Sequence, residues 1–469
     1  MEHPSYFDAV DHRQLLRDYP LGADFAERRA RISRDELRQW QERQFLSCLE
    51  RAWQIPFYRR LWSAEGIEPG DIGGLDDLPR LPCYDKGDLM RSVEEHPPFG
   101  DFHGMESFGD GPAARPPVIL HTTSGTTGLP QPLLFGPKSR EVQNILMARA
   151  FLLQGLRADD LVHSVFGFGT VNGGHYAREA ISHFTNALVL TAGTGAETRS
   201  AQQVRLMQGY GATVLIGFAD YLRKLAEVAR QEGLEPGRDI RIRLICAAIG
   251  GERREALSEA WAGARVCDFY GVGDTGFIAA EGPEQDGLHI WEDAHLVEII
   301  DPDSLAPLAD GAIGNVCVTA LFKDDIFPNI RFNTNDLSAV ETTPSPIGWS
   351  LRRLRGFLGR SDDMVKLRGI NVYPPAIGAL LKADGDINGE FFCRVRRRRG
   401  RDEMTVLVES PAAAADRPAL AARYGEMLRQ HIGLELLVEL AEPGALAPLT
   451  EIDRRQKPLR LDDGRKREG

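Results

Sequence analysis

Between residues 161 and 269 short apolar runs alternate with amphipathic ones, and that alternation confines the chain to layered α/β architectures. The runs at 161–166, 187–190, 213–216, 244–249 and 266–269 have the length and apolar density of buried strands. Residues 200–208 and 221–231 carry apolar side chains at helical spacing, so helices are expected to cover a largely parallel sheet. From His289 to Val318 the pattern turns to short strands joined by Asp-Pro and Asp-Gly turns, as in a β-rich subdomain. Upstream, Leu37, Trp40, Phe45, Leu46, Leu49 and Trp53 mark an amphipathic helix over 35–53. Prolines between 79 and 117 then break the chain into turns ahead of the 118–120 run, which feeds a glycine-rich loop.

The region after Gly359 reads separately, with strands at 391–396, 405–409 and 436–440 and a helix near 418–431. The expected fold is therefore α/β: a large multi-subdomain core at 1–358, a hinge at 359–363 and a small mobile α+β domain at 364–469. A chain of 469 residues is long enough for such a division and for a deep cleft. With 56 basic against 68 acidic residues, the net charge of −12 argues against a nucleic-acid-binding surface. The basic runs at 352–360 and 394–401 read as solvated or edge-blunting charge, or alternatively as an attractor of polyphosphate or coenzyme A. The six cysteines are scattered singly, without zinc or disulfide spacing, which fits a reducing cytoplasm. No apolar run has transmembrane length and the first residues do not read as a signal peptide, so a cytoplasmic protein without a membrane partner is expected.

Residues 122–130, TTSGTTGLP, follow a strand and set hydroxyls between glycines. Such a loop exposes backbone N–H groups that can wrap a phosphate, although a Ser/Thr/Gly stretch can equally be a simple turn. It lacks the spacing and the lysine of a P-loop. Three further segments follow in order: DFYGVGD at 268–274, RFNTNDL at 331–337 and GRSDDMVKLRGINVYP at 359–374.

Taken together, these segments resemble the motifs of the acyl-adenylate-forming superfamily, which includes acyl-CoA synthetases and peptide-synthetase adenylation domains. The 359–374 stretch, with DGLHIWED at 286–293, is similar to the phenylacetate-CoA ligase branch. The resemblance implies an enzyme that uses ATP to adenylate a carboxylic acid and then passes the acyl group to the thiol of coenzyme A. It implies that Ser124, Gly125, Thr126, Thr127 and Gly128 hold the ATP phosphates, that Tyr270 and Gly271 face adenine, and that Asp336, helped by Arg360, fixes the ribose. Asp362 matches the hinge position, and Gly369 matches the loop lining the pantetheine tunnel. Lys457, in the tail with Arg460, Asp463 and Arg465, matches the lysine that bridges carboxylate and α-phosphate. His175, Tyr176 and Gly250 correspond to the acyl pocket, which suits a flat aromatic acid. The branch is often dimeric, so a homodimer is a further expectation.

Four departures qualify this picture. Gln131 stands where the superfamily usually has lysine, a feature shared with phenylacetate-CoA ligases. Gly273-Asp274 replaces a Ser or Thr followed by Glu, which removes a hydroxyl and draws the expected Mg2+ ligand, Asp274, back by one methylene, about 1.5 Å. Gly378 replaces a common glutamate, and residues 342–357 replace a cysteine-rich segment. Three readings remain: transfer to coenzyme A; transfer to a carrier-protein thiol or an amine; or a catalytically weakened nucleotide-binding protein.

Overall fold

The computed structural model describes residues 5–108, 114–123, 129–362, 365–368, 370–382, 387, 390–398, 401–452 and 458–467. The chain forms two compact units, Met1–Thr191 with Cys267–Gly356, and Ala192–Val266 with Phe357–Gly469. The expected α/β class, with a β-rich part and a small α+β C-terminal region, is what the elements build.

In the first unit the helix Arg34–Trp53 begins with a capping box, in which Ser33 and Glu36 satisfy each other's backbone donors. Its apolar side, Phe45, Cys48, Leu49 and Ala52, joins Trp62, Phe102, Phe327 and Phe332 in one core. The helix Pro137–Gln154 is buried around most of its circumference and packs on the helix Gly173–Phe184 and the strand Gly276–Glu281. A helix with so little polar surface serves as an internal strut. The strands Leu161–Ser164 and Leu188–Thr191 pair in parallel, as the alternation requires. The strands His295–Ile300, Gly314–Ala320 and Asn329–Ser338 form the antiparallel β-rich part.

In the second unit Val214–Phe218 and Leu244–Ala248 pair in parallel, flanked in sequence by the helices Ser200–Tyr210 and Ala219–Gln231. The C-terminal region is a four-stranded sheet in which Phe391–Arg398 and Arg401–Glu409 form the central antiparallel pair. Leu437–Ala441 and Leu461–Asp463 add to its two edges in parallel. Val395, Val406 and Val408 pack against Tyr424 and Leu428 of the helix Arg417–Ile432. Gly378 lies where an added Cβ would come within 2.2 Å of the Phe391 ring, so Phe391 fills the space that a glutamate there would need.

The basic run at 352–360 is neutralised, and the run at 394–401 is paired at Arg396 and Arg397. Arg352 pairs with Glu292, Arg353 with Asp286, Arg355 with Glu341, Arg396 with Asp462 and Arg397 with Asp402. In the 352–360 run those pairs favour the reading of structural charge over an open polyphosphate attractor. Among the described residues no helix is long and apolar enough to cross a membrane, and all six cysteines are free thiols.

Candidate active site

The glycine-rich loop is carried by a short antiparallel hairpin, Ile119–Thr122 with Pro132–Phe135. Its neck closes where the Thr123 amide donates to the Gln131 carbonyl at 3.0 Å. Thr122 bonds Thr170 through its backbone at 2.8 Å and its hydroxyl at 2.7 Å, tying the hairpin to the segment before the Gly173–Phe184 helix. Ser124, Gly125, Thr126, Thr127 and Gly128 lie outside the described residues.

Two motifs far apart in sequence meet within the first unit. The hydroxyl of Tyr270, at the end of the Arg265–Val272 strand, donates to Asp336 Oδ2 at 2.8 Å and lies 3.4 Å from Thr334 Oγ1. Asp336 sits on the Asn329–Ser338 strand, where its amide bonds the Thr334 hydroxyl at 3.1 Å. Gly271 is required by packing, because a Cβ there would stand 2.9 Å from the Gly276 carbonyl oxygen. The residues expected at adenine and at the ribose therefore form one rigid group.

Asp274 is buried, and its carboxylate accepts a hydrogen bond from the Gln131 side-chain amide. Its carbonyl accepts from the Lys323 ammonium at 2.6 Å. Lys323 is fully buried, with its nitrogen 4.6 Å from the Phe135 ring centre and 4.5 Å from that of Phe327. Burial pushes the Asp274 carboxyl up and the Lys323 ammonium down to about 8. A magnesium ion needs exposed carboxylate oxygen, and here the single acid at the expected position is buried and engaged by an amide. Among the described residues no three His, Cys, Asp or Glu side chains gather into a metal cradle. The described residues therefore fit a protein-held magnesium poorly.

The hydroxyl absent at Gly273 has a polar neighbour in its place. The Asn172 amide donates to the Gly273 carbonyl at 3.0 Å, and a Cβ on Gly273 would lie 3.7 Å from that side chain. Asn172 was not singled out from the sequence, because only the fold brings it 101 residues along the chain to Gly273.

At the start of the Gly173–Phe184 helix, a His175 ring nitrogen lies 3.0 Å from the Gly169 carbonyl oxygen. Its ring centre is 5.1 Å from that of His121 and 5.6 Å from that of Phe168. Tyr176 is buried, edge-on to His121 at 5.7 Å and to Phe135 at 5.4 Å. His121 is a second residue the sequence did not flag; its signal is its place on the strand entering the glycine-rich loop. Burial, with His175 and Arg140 nearby, pushes its imidazole down to about 4, so the ring is neutral at pH 7.

In the second unit Gly250 has φ +58° and open space around its Cβ position, so left-handed backbone is what favours glycine there. Arg360 forms a bidentate pair with the expected hinge residue Asp362, at 2.8 and 2.7 Å. Gly369 and Lys457 lie outside the described residues. The tail beyond Lys457 is firmly anchored. Arg460 bonds Glu390 at 3.0 Å and Asp220 at 2.9 Å, and Arg465 bonds Asp402 at 2.7 Å and Asp463 at 2.6 Å.

Residues 369–460 match the family of AMP-binding enzyme C-terminal domains. The phenylacetate-coenzyme A ligase of Thermus thermophilus is 30% identical over 462 residues, covering 92% of this chain and 98% of its own. The crystal structure of 2-hydroxyisobutyryl-CoA ligase in the postadenylation state with 2-HIB-AMP is 26% identical with a TM-score of 0.78, covering 96% of this chain and 92% of that one. With 2-HIB-AMP and CoA in the thioesterification state, that ligase gives 28% identity and a TM-score of 0.67, covering 96% of each chain. On that identity and coverage, the chain belongs to the acyl-adenylate-forming superfamily, in its phenylacetate-CoA ligase-like branch, and is an enzyme of the AMP-forming acid–thiol ligase class.

Proposed function

We propose that this enzyme activates an aromatic carboxylic acid as its acyl-adenylate and transfers the acyl group to the thiol of coenzyme A. The observation that carries the nucleotide half is the Tyr270–Asp336 hydrogen bond, which unites the adenine-facing and ribose-binding motifs. A carboxylate oxygen attacks the α-phosphorus of ATP and pyrophosphate leaves; the thiolate then attacks the acyl carbon and AMP leaves. The loop of Ser124, Gly125, Thr126, Thr127 and Gly128 holds phosphate oxygens, and Lys457 neutralises charge between carboxylate and α-phosphate in the first step.

Transfer requires Lys457 to withdraw, and a hinge at Asp362 allows that withdrawal while Gly369 lines the path of the incoming thiol. Domain boundaries at 1–358, 359–363 and 364–469 belong to the same proposal. The Arg360–Asp362 pair supports it by giving the hinge a defined contact to break. His175 and Tyr176, joined by His121 and Phe168, form an aromatic cluster that suits a flat aromatic acid.

The test is pyrophosphate exchange with a panel of aromatic and short hydroxy acids, with and without coenzyme A, and mass analysis of products. Exchange with aromatic acids and a CoA thioester product is expected. AMP release only with an amine or a carrier protein would replace the acceptor, and no exchange with any acid would favour a weakened nucleotide-binding protein. Lys457→Ala is expected to lower adenylation about 10²–10³-fold while sparing thioester formation from supplied acyl-adenylate. Equal loss in both steps would remove Lys457 from its role.

A further inference from the structure

We infer that Gln131 and Lys323 are positioning residues that fasten Asp274 to the neck of the glycine-rich loop, so that Asp274 serves the reaction as a loop anchor and not as a cation ligand. The two positions that depart from the superfamily's pattern on either side of the site, Gln131 and Asp274, are hydrogen-bond partners of each other across 143 residues. Gln131 has no exposed surface. Its backbone carbonyl closes the loop neck against Thr123, and its side chain ends on Asp274. The residue that terminates the loop is thus also the residue that docks it on the 268–274 motif.

Lys323 completes the clamp from the other side. Its ammonium bonds the Asp274 carbonyl at 2.6 Å and lies over Phe135, which belongs to the hairpin strand leaving the loop. One buried amine therefore ties the 268–274 motif to the same hairpin that Gln131 begins. Among the described residues Gln131 Oε1 and Thr275 Oγ1 are buried without a hydrogen-bond partner.

This inference rests on the reading of the loop as the ATP site, and the experiment separates the two. ATP affinity, KM for ATP, KM for the acid and the apparent Mg2+ constant are measured for the full-length protein and for Gln131→Ala, Asp274→Ala, the double variant and Lys323→Met. Each single change is expected to weaken ATP binding about tenfold, as loss of a charge-assisted hydrogen bond does, with KM for the acid unmoved. The Gln131→Ala Asp274→Ala pair is expected to lose little more than either alone, because both changes break one contact. The Mg2+ constant should stay within about twofold in Gln131→Ala.

Additive losses approaching a hundredfold, or a tenfold shift of the Mg2+ constant in Gln131→Ala with ATP affinity intact, would overturn the clamp. Gln131→Met, which keeps the volume, replaces Gln131→Ala if the latter fails to fold. If the unaltered protein binds no ATP, the functional reading falls. The clamp is then judged by the same cycle on unfolding midpoints, where additivity refutes it and coupling upholds it.

Discussion

Two buried ionic clusters, one in each unit, are built on opposite terms. In the second unit Arg223 reaches Glu227 at 2.7 Å, Glu252 at 3.3 Å and Glu390 at 2.8 Å, while Arg460 reaches Glu390 and Asp220. Each guanidinium meets several carboxylates, and that surplus of acid holds both arginines firmly in the charged form. In the first unit Lys323 donates to a carbonyl and faces two rings, while the Asp274 carboxylate receives an amide. Burial there is only partly answered by opposite charge, and both groups are pushed toward neutrality. The arginine network holds its segments through charge, whereas the cluster around Asp274 holds the loop neck through hydrogen bonds to an amide and a carbonyl.

The largest effect that would test this contrast is Arg223→Ala. It strips Glu252 and Glu390 of a buried cation, and a loss of about 3 kcal/mol in urea-unfolding stability is expected. A loss below about 1 kcal/mol would mean that the network is not a structural tie. Arg460→Met should cost less, about 2 kcal/mol, because methionine recovers part of the packing against Phe391 and Glu390 keeps Arg223. Arg460 stands three residues after Lys457 and bonds the Phe391 carbonyl at 3.0 Å, so the same variant should also slow adenylation. Unchanged adenylation alongside the stability loss would confine Arg460 to the fold.

The two clusters also differ in how far they could be read from the sequence. Elements of local origin were legible: the 35–53 helix appears as Arg34–Trp53, and the strand expected at 391–396 as Phe391–Arg398. Hydrophobic periodicity suffices for these, since each element's pattern lies within its own span. The order of the chemical motifs was legible for the same reason. What joins them was not. Nothing in the local pattern places Gln131 against Asp274, or Arg460 against Asp220, 240 residues away. Gly378 read as a lost glutamate until Phe391 was found filling its space, and the basic run at 352–360 read as solvated or edge-blunting charge, or a polyphosphate attractor, until Glu292, Asp286 and Glu341 were found opposite it. Single-chain patterns report which face is buried, and only packing reports what is buried against it.

A pH dependence that belongs to Lys323 tests the contrast from the first unit's side. Its ammonium is lowered from 10.5 to about 8 by burial, so between those values the unfolded chain binds a proton that the folded chain has released. Stability contributed by this residue therefore rises with pH across that window, by at most about 1.4 kcal/mol per pH unit. Below pH 8 the burial cost of the ammonium is fully present in the folded state, and above 10.5 it has gone. Urea midpoints of the unaltered protein and of Lys323→Met, measured from pH 7 to 10.5, should run parallel up to about pH 8 and then converge or cross as the unaltered protein gains. The two proteins differ in titratable groups at residue 323 alone, so a common slope throughout would show that Lys323 keeps its charge at alkaline pH. Its cluster would then be as well satisfied as the arginine network, and the contrast between the two units would disappear.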